Sequence, residues 1–220
     1  MSFLSPLLEK PWEQSGVAHH QTRSREYTRR SGLRLLLLVV SVLFLLFIIA
    51  FLMRSQYPDW QPLAENPTHP LFNLHTLWLN TVYLGLASLS IQWARIGKNR
   101  SSVSLKLGLL LAGSFSIAFV TGQLLLWQQL NQQGFAVNAN PALSFFYLLT
   151  GLHAVHVGIG LLMWGVALTS VITGSPKFKQ YVDLCAIYWH FLFGLWVVLF
   201  VLLVSKPETF DAIVTFCGLG

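Results

Sequence analysis

The chain is poor in charge. Asp, Glu, Lys and Arg make up 10% of its 220 residues, against roughly 25% in soluble domains. With 54% hydrophobic residues and a mean hydropathy of +0.59, it is suited to lipid, and a disordered chain or a secreted disulfide scaffold is excluded. Cysteine is scarce as well. Cys185 and Cys217 stand far apart, the first inside an apolar run, so no disulfide framework or Cys-x-x-Cys metal motif is available. Acidic residues number 8 against 14 basic ones, giving a net charge of +6 and a pI near 9.6. In so apolar a chain this excess reads as membrane topology rather than nucleic-acid binding.

A hydrocarbon core about 30 Å thick takes about 20 apolar residues at 1.5 Å each. Five stretches satisfy this: residues 33–53, 71–93, 105–126, 142–172 and 182–204. The expected fold is therefore all-α, a polytopic bundle of five transmembrane helices. Twelve of the 14 basic residues (Lys10, Arg23, Arg25, Arg29, Arg30, Arg34, Arg95, Lys98, Arg100, Lys106, Lys177, Lys179) fall on one side of such a bundle, and only Arg54 and Lys206 on the other. The positive-inside rule then makes the N-terminus cytoplasmic and the C-terminus external. Residues 1–32 read as a cytoplasmic arm, 33–204 as the membrane domain and 205–220 as an external tail. No cleavable signal peptide is expected, because the apolar run that begins at Leu33 exceeds an h-region. The arm reads as flexible, its arginines at anionic headgroups; the sharper alternative docks Phe3, Leu4, Leu7, Leu8 and Trp12 on a partner subunit.

Polar residues at membrane depth mark either helix packing or function. Gly108, Gly113, Ser116 and Gly122 in the third stretch permit close helix approach, and Gln123 is expected to hydrogen-bond a neighbouring helix. His153 and His156 share a helix face that Gly160 and Trp164 continue. Asp183, Ile187, His190 and Gly194 form a corresponding stripe on the fifth stretch. Two histidines on one side of one helix cannot both ligate one haem, so of His75, His153, His156 and His190 one pair, such as His156 with His190, could serve a single-haem membrane cytochrome. The plainer reading is imidazoles hydrogen-bonded between helices. Asp183, near the cytoplasmic boundary, is expected to pair with Lys177 or Lys179 or to complement its helix start, the alternative being a proton relay to His190 in a small transporter. Trp60, Trp78, Trp93, Trp127 and Tyr147 read as interfacial anchors.

Two segments carry a resemblance. Residues 140–157, with Phe145-Phe146, Thr150-Gly151-Leu152-His153 and Ala154-Val155-His156-Val157, resemble the paired-histidine motif of subunit III of haem-copper oxidases. Tyr188-Trp189-His190-Phe191, followed by Trp196, is similar to that family's last helix. Weaker echoes are Asp59-Trp60, Leu79-Asn80-Thr81 with Ser88, and Gly122-Gln123 with Trp127. The resemblance covers about residues 33 to 204. It implies a non-catalytic accessory subunit of a bacterial respiratory oxidase in the inner membrane. Such a subunit binds phospholipid in a cleft, keeps the catalytic subunit active and contributes to proton uptake.

The resemblance implies partners, subunit I and subunit II, that hold the haem and copper, and a respiratory supercomplex as a further level of assembly. The resemblance gives this chain no metal ligand and no catalytic residue. His153, His156, His190, Trp164, Trp189 and Trp196 are the expected cleft and interior residues, and Gly113, Gly122, Gly151, Gly158, Gly160 and Gly194 the expected packing positions. There are departures. Residues 33–53 hold no carboxylate where many members carry a buried glutamate, Ala154 replaces a glycine, and Phe193 stands where an aspartate is frequent. The accessory subunit of a nitric oxide reductase is the nearest alternative.

Overall fold

The computed structural model describes residues 17–63, 71, 75–99, 101–205 and 207–216, with side chains from Tyr27 onward except at 207, 211, 213 and 216. The arm residues Phe3, Leu4, Leu7, Leu8 and Trp12, and also Cys217, lie outside the described residues. Those residues form six helices: α1 (Val17–Arg54), α2 (His75–Gly97), α3 (Ser102–Gln132), α4 (Pro141–Ile172), α5 (Phe178–Val204) and α6 (Pro207–Phe216). Helix is the physical choice in lipid, where each backbone group must find its partner within its own segment. The chain divides into two compact units, residues 1–40 and 41–220. Residues 17–32, expected in a flexible arm, are helical and continuous with the first apolar run.

Among the described residues four helices are long and apolar enough to cross a membrane: α1 from Tyr27, α3, α4 and α5. The expected five become four on this measure. α2 has 23 residues, about 35 Å of helix, but it is less apolar because it carries Asn80, Thr81, Ser88 and Gln92.

The helix ends follow from local chemistry. Asn140 caps α4 by accepting from the Leu143 amide at 2.7 Å, and Pro141 follows at a position where no amide bond is lost. α3 and α4 each end at a glycine in the left-handed region, Gly134 (φ 87°) and Gly174 (φ 63°). Phe135 N–H then returns to Leu130 O at 2.9 Å, and Ser175 N–H to Ser170 O at 3.0 Å. Beyond α1, Arg54 forms a two-pronged ion pair with Asp59. The hydrogen bonds from Arg54 hold the Asp59 carboxyl below the usual carboxylate range.

α2, α3, α4 and α5 close a ring in which α2 packs on α3 and α5, and α4 on the same two. Leu84, Ile91, Leu109, Phe119, Phe146, Leu149, Leu192 and Leu199 fill its centre. Leucines on the opposite faces, such as Leu89, Leu110, Leu124 and Leu162, are exposed, as lipid-facing residues are. Within the second unit, α1 reaches this ring through side chains: Phe44 meets the His156 ring edge-on at 5.7 Å. Phe51 meets Trp60, Phe145 and Phe210 at 4.9, 5.8 and 5.4 Å, tying α1, its following turn, α4 and α6 into one aromatic knot.

Candidate functional site: polar groups inside the bundle

Several polar side chains of the ring meet partners on other helices, while Ser116 and Ser170 bond their own helix and the ring nitrogens of His153 and the indole nitrogen of Trp189 are buried without a hydrogen-bond partner among the described residues. Along α2 the contacts to α5 recur every three or four residues, about one helical turn. Trp78 stacks edge-on against Phe200 at 4.8 Å. Trp196 donates its indole N–H to Thr81 Oγ1 at 3.0 Å. Phe193 lies over Gly85, where a Cβ would come within 3.3 Å of its ring. His190 is held from both sides, Nδ1 by Ser88 Oγ at 2.6 Å and Nε2 by Gln92 Oε1 at 3.1 Å. Since the Gln92 oxygen only accepts, Nε2 donates to it, and in the neutral ring Nδ1 accepts from the Ser88 hydroxyl. At the end of the seam Arg95 Nε donates to Asp183 Oδ1 at 2.9 Å, and Lys98 Nζ reaches the same oxygen.

Asp183 thus meets the last turn of α2 rather than the expected Lys177 or Lys179, which are exposed. The reason is rotational. Asp183 lies two turns before His190, so both project toward α2.

Elsewhere the approach is closer. Asn80 Nδ2 donates to Gln123 Oε1 at 3.1 Å, both buried, and Asn80 leans on Gly122, where any side chain would overlap its amide. A Cβ at Gly108 would lie 2.8 Å from that of Ala94. Trp164 packs flat against Gly113 and donates its indole N–H to Leu109 O at 2.8 Å. Leu109 is one turn before Gly113, so the missing side chain gives the indole access to that backbone carbonyl. Trp127 Nε1 donates to Thr150 Oγ1 at 3.3 Å. Gly160 lets α5 approach, with Leu192 and Tyr188 atoms 3.1 Å from where a Cβ would stand, and Tyr188 OH donates to His156 O at 3.0 Å.

The paired histidines separate. His153 is fully enclosed between Phe119 and Trp196, with ring centroids 5.9 and 5.2 Å away. His156, 60° further round the helix, donates from Nδ1 to Leu152 O at 2.8 Å and faces Phe44 of α1. His156 and His190 turn toward different helices, so the structure does not bring together the pair a single haem would need. Trp189 and Trp196 are buried in the ring. Gly151, Gly158 and Gly194, expected at helix contacts, face open space: a Cβ added at any of them would meet nothing within 4 Å. Trp78 and Trp93 are exposed at their span ends, whereas Trp60 and Trp127 are half-buried in contacts. Cys185 is a buried free thiol. Among the described residues no three of His, Cys, Asp and Glu gather as metal ligands.

Sequence reasoning missed Arg95 and Lys98 as partners of Asp183, and Gln92 and Thr150 as partners of His190 and Trp127. The seven-residue spacing of Thr81, Ser88 and Arg95 was the available signal.

Fold and interior together define a polytopic helical membrane protein whose buried polar groups join its helices. The family profile described as cytochrome c oxidase subunit III matches residues 13–205. Cytochrome c oxidase subunit 3 of Synechocystis sp. is 29% identical over 79% of this chain and 74% of its own length. That of Thermostichus vulcanus is 29% identical over 87% and 94%. A haem-copper oxidase subunit I+III of Aeropyrum pernix is 26% identical over 62% of this chain and 17% of its own length. The chain belongs to the cytochrome c oxidase subunit III family.

Proposed function

We propose that this chain is the non-catalytic subunit III of a bacterial haem-copper terminal oxidase, embedded in the inner membrane and packed on subunit I beside subunit II. The match over residues 13–205 carries this reading. Two further observations support it. A relative is named as subunits I and III together, which fits a direct partnership with the catalytic subunit. Much of the interior polar chemistry joins helices: His190, Asp183, Asn80, Gln123 and Trp164 each bond another helix, an arrangement that builds a scaffold. Oxygen reduction and its haem and copper then belong to the partners.

In this reading α2 is a fifth crossing, its polar side turned inward against α3 and α5, with the N-terminus cytoplasmic and the C-terminal tail outside. The domain limits are an arm of residues 1–32, a membrane body of 33–204 and a tail of 205–220. His156, on the α4 face that meets α1, borders a phospholipid cleft. His153, His190, Trp164, Trp189 and Trp196 hold the shape of the bundle behind it.

The test is a reduced-minus-oxidised visible spectrum of the tagged protein purified in mild detergent, repeated after the polypeptide is stripped from its partners. Haem bands in the complex that vanish from the isolated chain support the assignment; stoichiometric haem on the chain alone overturns it. His153→Ala combined with His156→Ala should leave initial oxygen consumption nearly intact and shorten the active lifetime, and an unchanged lifetime would remove the cleft role.

A further inference from the structure

A cavity of about 370 Å³ opens where the α2–α3 and α4–α5 connections meet, at the end of the bundle away from the aromatic knot. It is larger than a water site needs and falls within the usual range for small-molecule sites. Its lining has two characters. Lys98, Ser101 and Ser102 form a polar side, and Leu105, Val171 and Phe178 an apolar side.

The polar side carries an imbalance of charge. Arg95 and Lys98 converge on a single oxygen of Asp183, so two cations share one carboxylate and one positive charge is left over. Lys98 and Asp183 side chains are only 13% and 11% exposed, and a net charge held there is screened far less than one at an open surface. The surroundings add to the field. Lys106, Lys177 and Lys179 stand nearby in sequence, and neither α3 nor α5 has an acidic residue in its first turn. Ser101, which precedes α3, makes no side-chain bond to that turn.

The geometry points to a phosphate-binding site in this cavity, taking a phosphate group carried by an anionic phospholipid or free in solution. The phosphate sits against Lys98 and the start of α3, where it offsets the surplus charge. For a lipid, the glycerol and first methylenes lie along Leu105, Val171 and Phe178. Basic pockets between membrane helices recognise anionic headgroups in this way. The site is separate from the α1–α4 side where His156 lies.

The test titrates the delipidated full-length chain in nonionic detergent with phosphatidylglycerol, inorganic phosphate or diacylglycerol, following the thermal midpoint as a measure of binding. Lys98→Gln removes the surplus cation while leaving Arg95 on Asp183. Ser101→Asp puts a carboxylate in the cavity at a position where aspartate is a favourable helix cap, so it weakens binding without weakening the fold. Each variant should bind at least tenfold more weakly than the parent. Saturation by phosphatidylglycerol that inorganic phosphate does not displace identifies a lipid as the source; saturation and competition by inorganic phosphate identify the free anion. Either ligand binding both variants within twofold of the parent overturns the site, as does an equal shift with diacylglycerol. If Lys98→Gln fails to fold, Ser101→Asp decides alone.

Discussion

Gly113→Ala should damage this protein far more than one methyl group suggests. The added carbon would overlap the Trp164 indole, which lies on Gly113 and donates to Leu109 O at 2.8 Å. Overpacking costs about 1 to 3 kcal/mol, and loss of the indole hydrogen bond about 1 kcal/mol more. The gain in helix propensity from glycine to alanine offsets up to about 1 kcal/mol. The net loss is then about 1 to 3 kcal/mol, and its midpoint of about 2 kcal/mol raises the unfolded fraction roughly 30-fold. Gly158→Ala is the control, since nothing among the described residues beyond its own helical turn lies within 4 Å of a methyl placed there, and it should be neutral or slightly stabilising. Cys185, fully buried, supplies the assay. In a Cys217→Ser background, the rate at which a thiol-reactive dye labels Cys185 tracks the open population when closing is fast. Equal labelling rates for the two glycine variants would refute the argument.

Other consequences can be measured in the same way. A double-mutant cycle of Asn80→Leu and Gln123→Leu should give a coupling of about 0.6 kcal/mol, up to about 1.7; zero coupling would mean that the 3.1 Å contact contributes nothing. Asp183→Leu strands Arg95 and Lys98 and should cost about 3 kcal/mol, the low end for a broken buried pair because Arg95 is partly exposed. Under about 1 kcal/mol lost in thermal or detergent unfolding would count against that cluster. Asp59, its carboxyl lowered by Arg54, contributes stability that is present above the unfolded pKa of about 3.9 and lost as pH falls through the folded value. The difference in thermal midpoint between parent and Asp59→Asn should therefore shrink on acidification, and a pH-independent difference would contradict the ion pair.

How much was legible in the sequence depended on the kind of signal. The five long helices were legible, because long apolar runs separated by polar connectors leave little choice, whereas the helical turns of residues 17–32 and α6, in segments read as arm and tail, carry no such run. The residues inside the bundle were also visible as types: Gln123 was expected to bond a neighbouring helix, and Asn80 takes that role. Rotation was harder to read. His153 and His156 share a face at the resolution of sequence spacing, yet about 60° is enough to send one into the ring and the other toward α1. Partner choice was least legible. Asp183 had lysines four and six residues away in sequence, but its helix presents it to α2, where Arg95 and Lys98 stand 88 and 85 residues distant. Glycine spacing alone also could not separate Gly113, pressed by Trp164, from Gly158, which meets nothing.

The seam between α2 and α5 bears on how the helices find their alignment. In lipid, a leucine facing leucine is no better placed after a slide of two turns, so apolar contact specifies position weakly. The stations at Thr81, Ser88 and Arg95 differ in chemistry, and each fits one partner: an indole donor, an imidazole, a carboxylate. Sliding α5 by seven residues would set Asp183 beside Ser88 and leave Arg95 and Lys98 without an anion. The polar residues of this seam therefore work as a key with three unequal teeth, which closes in one register and penalises every other as helices inserted separately come together.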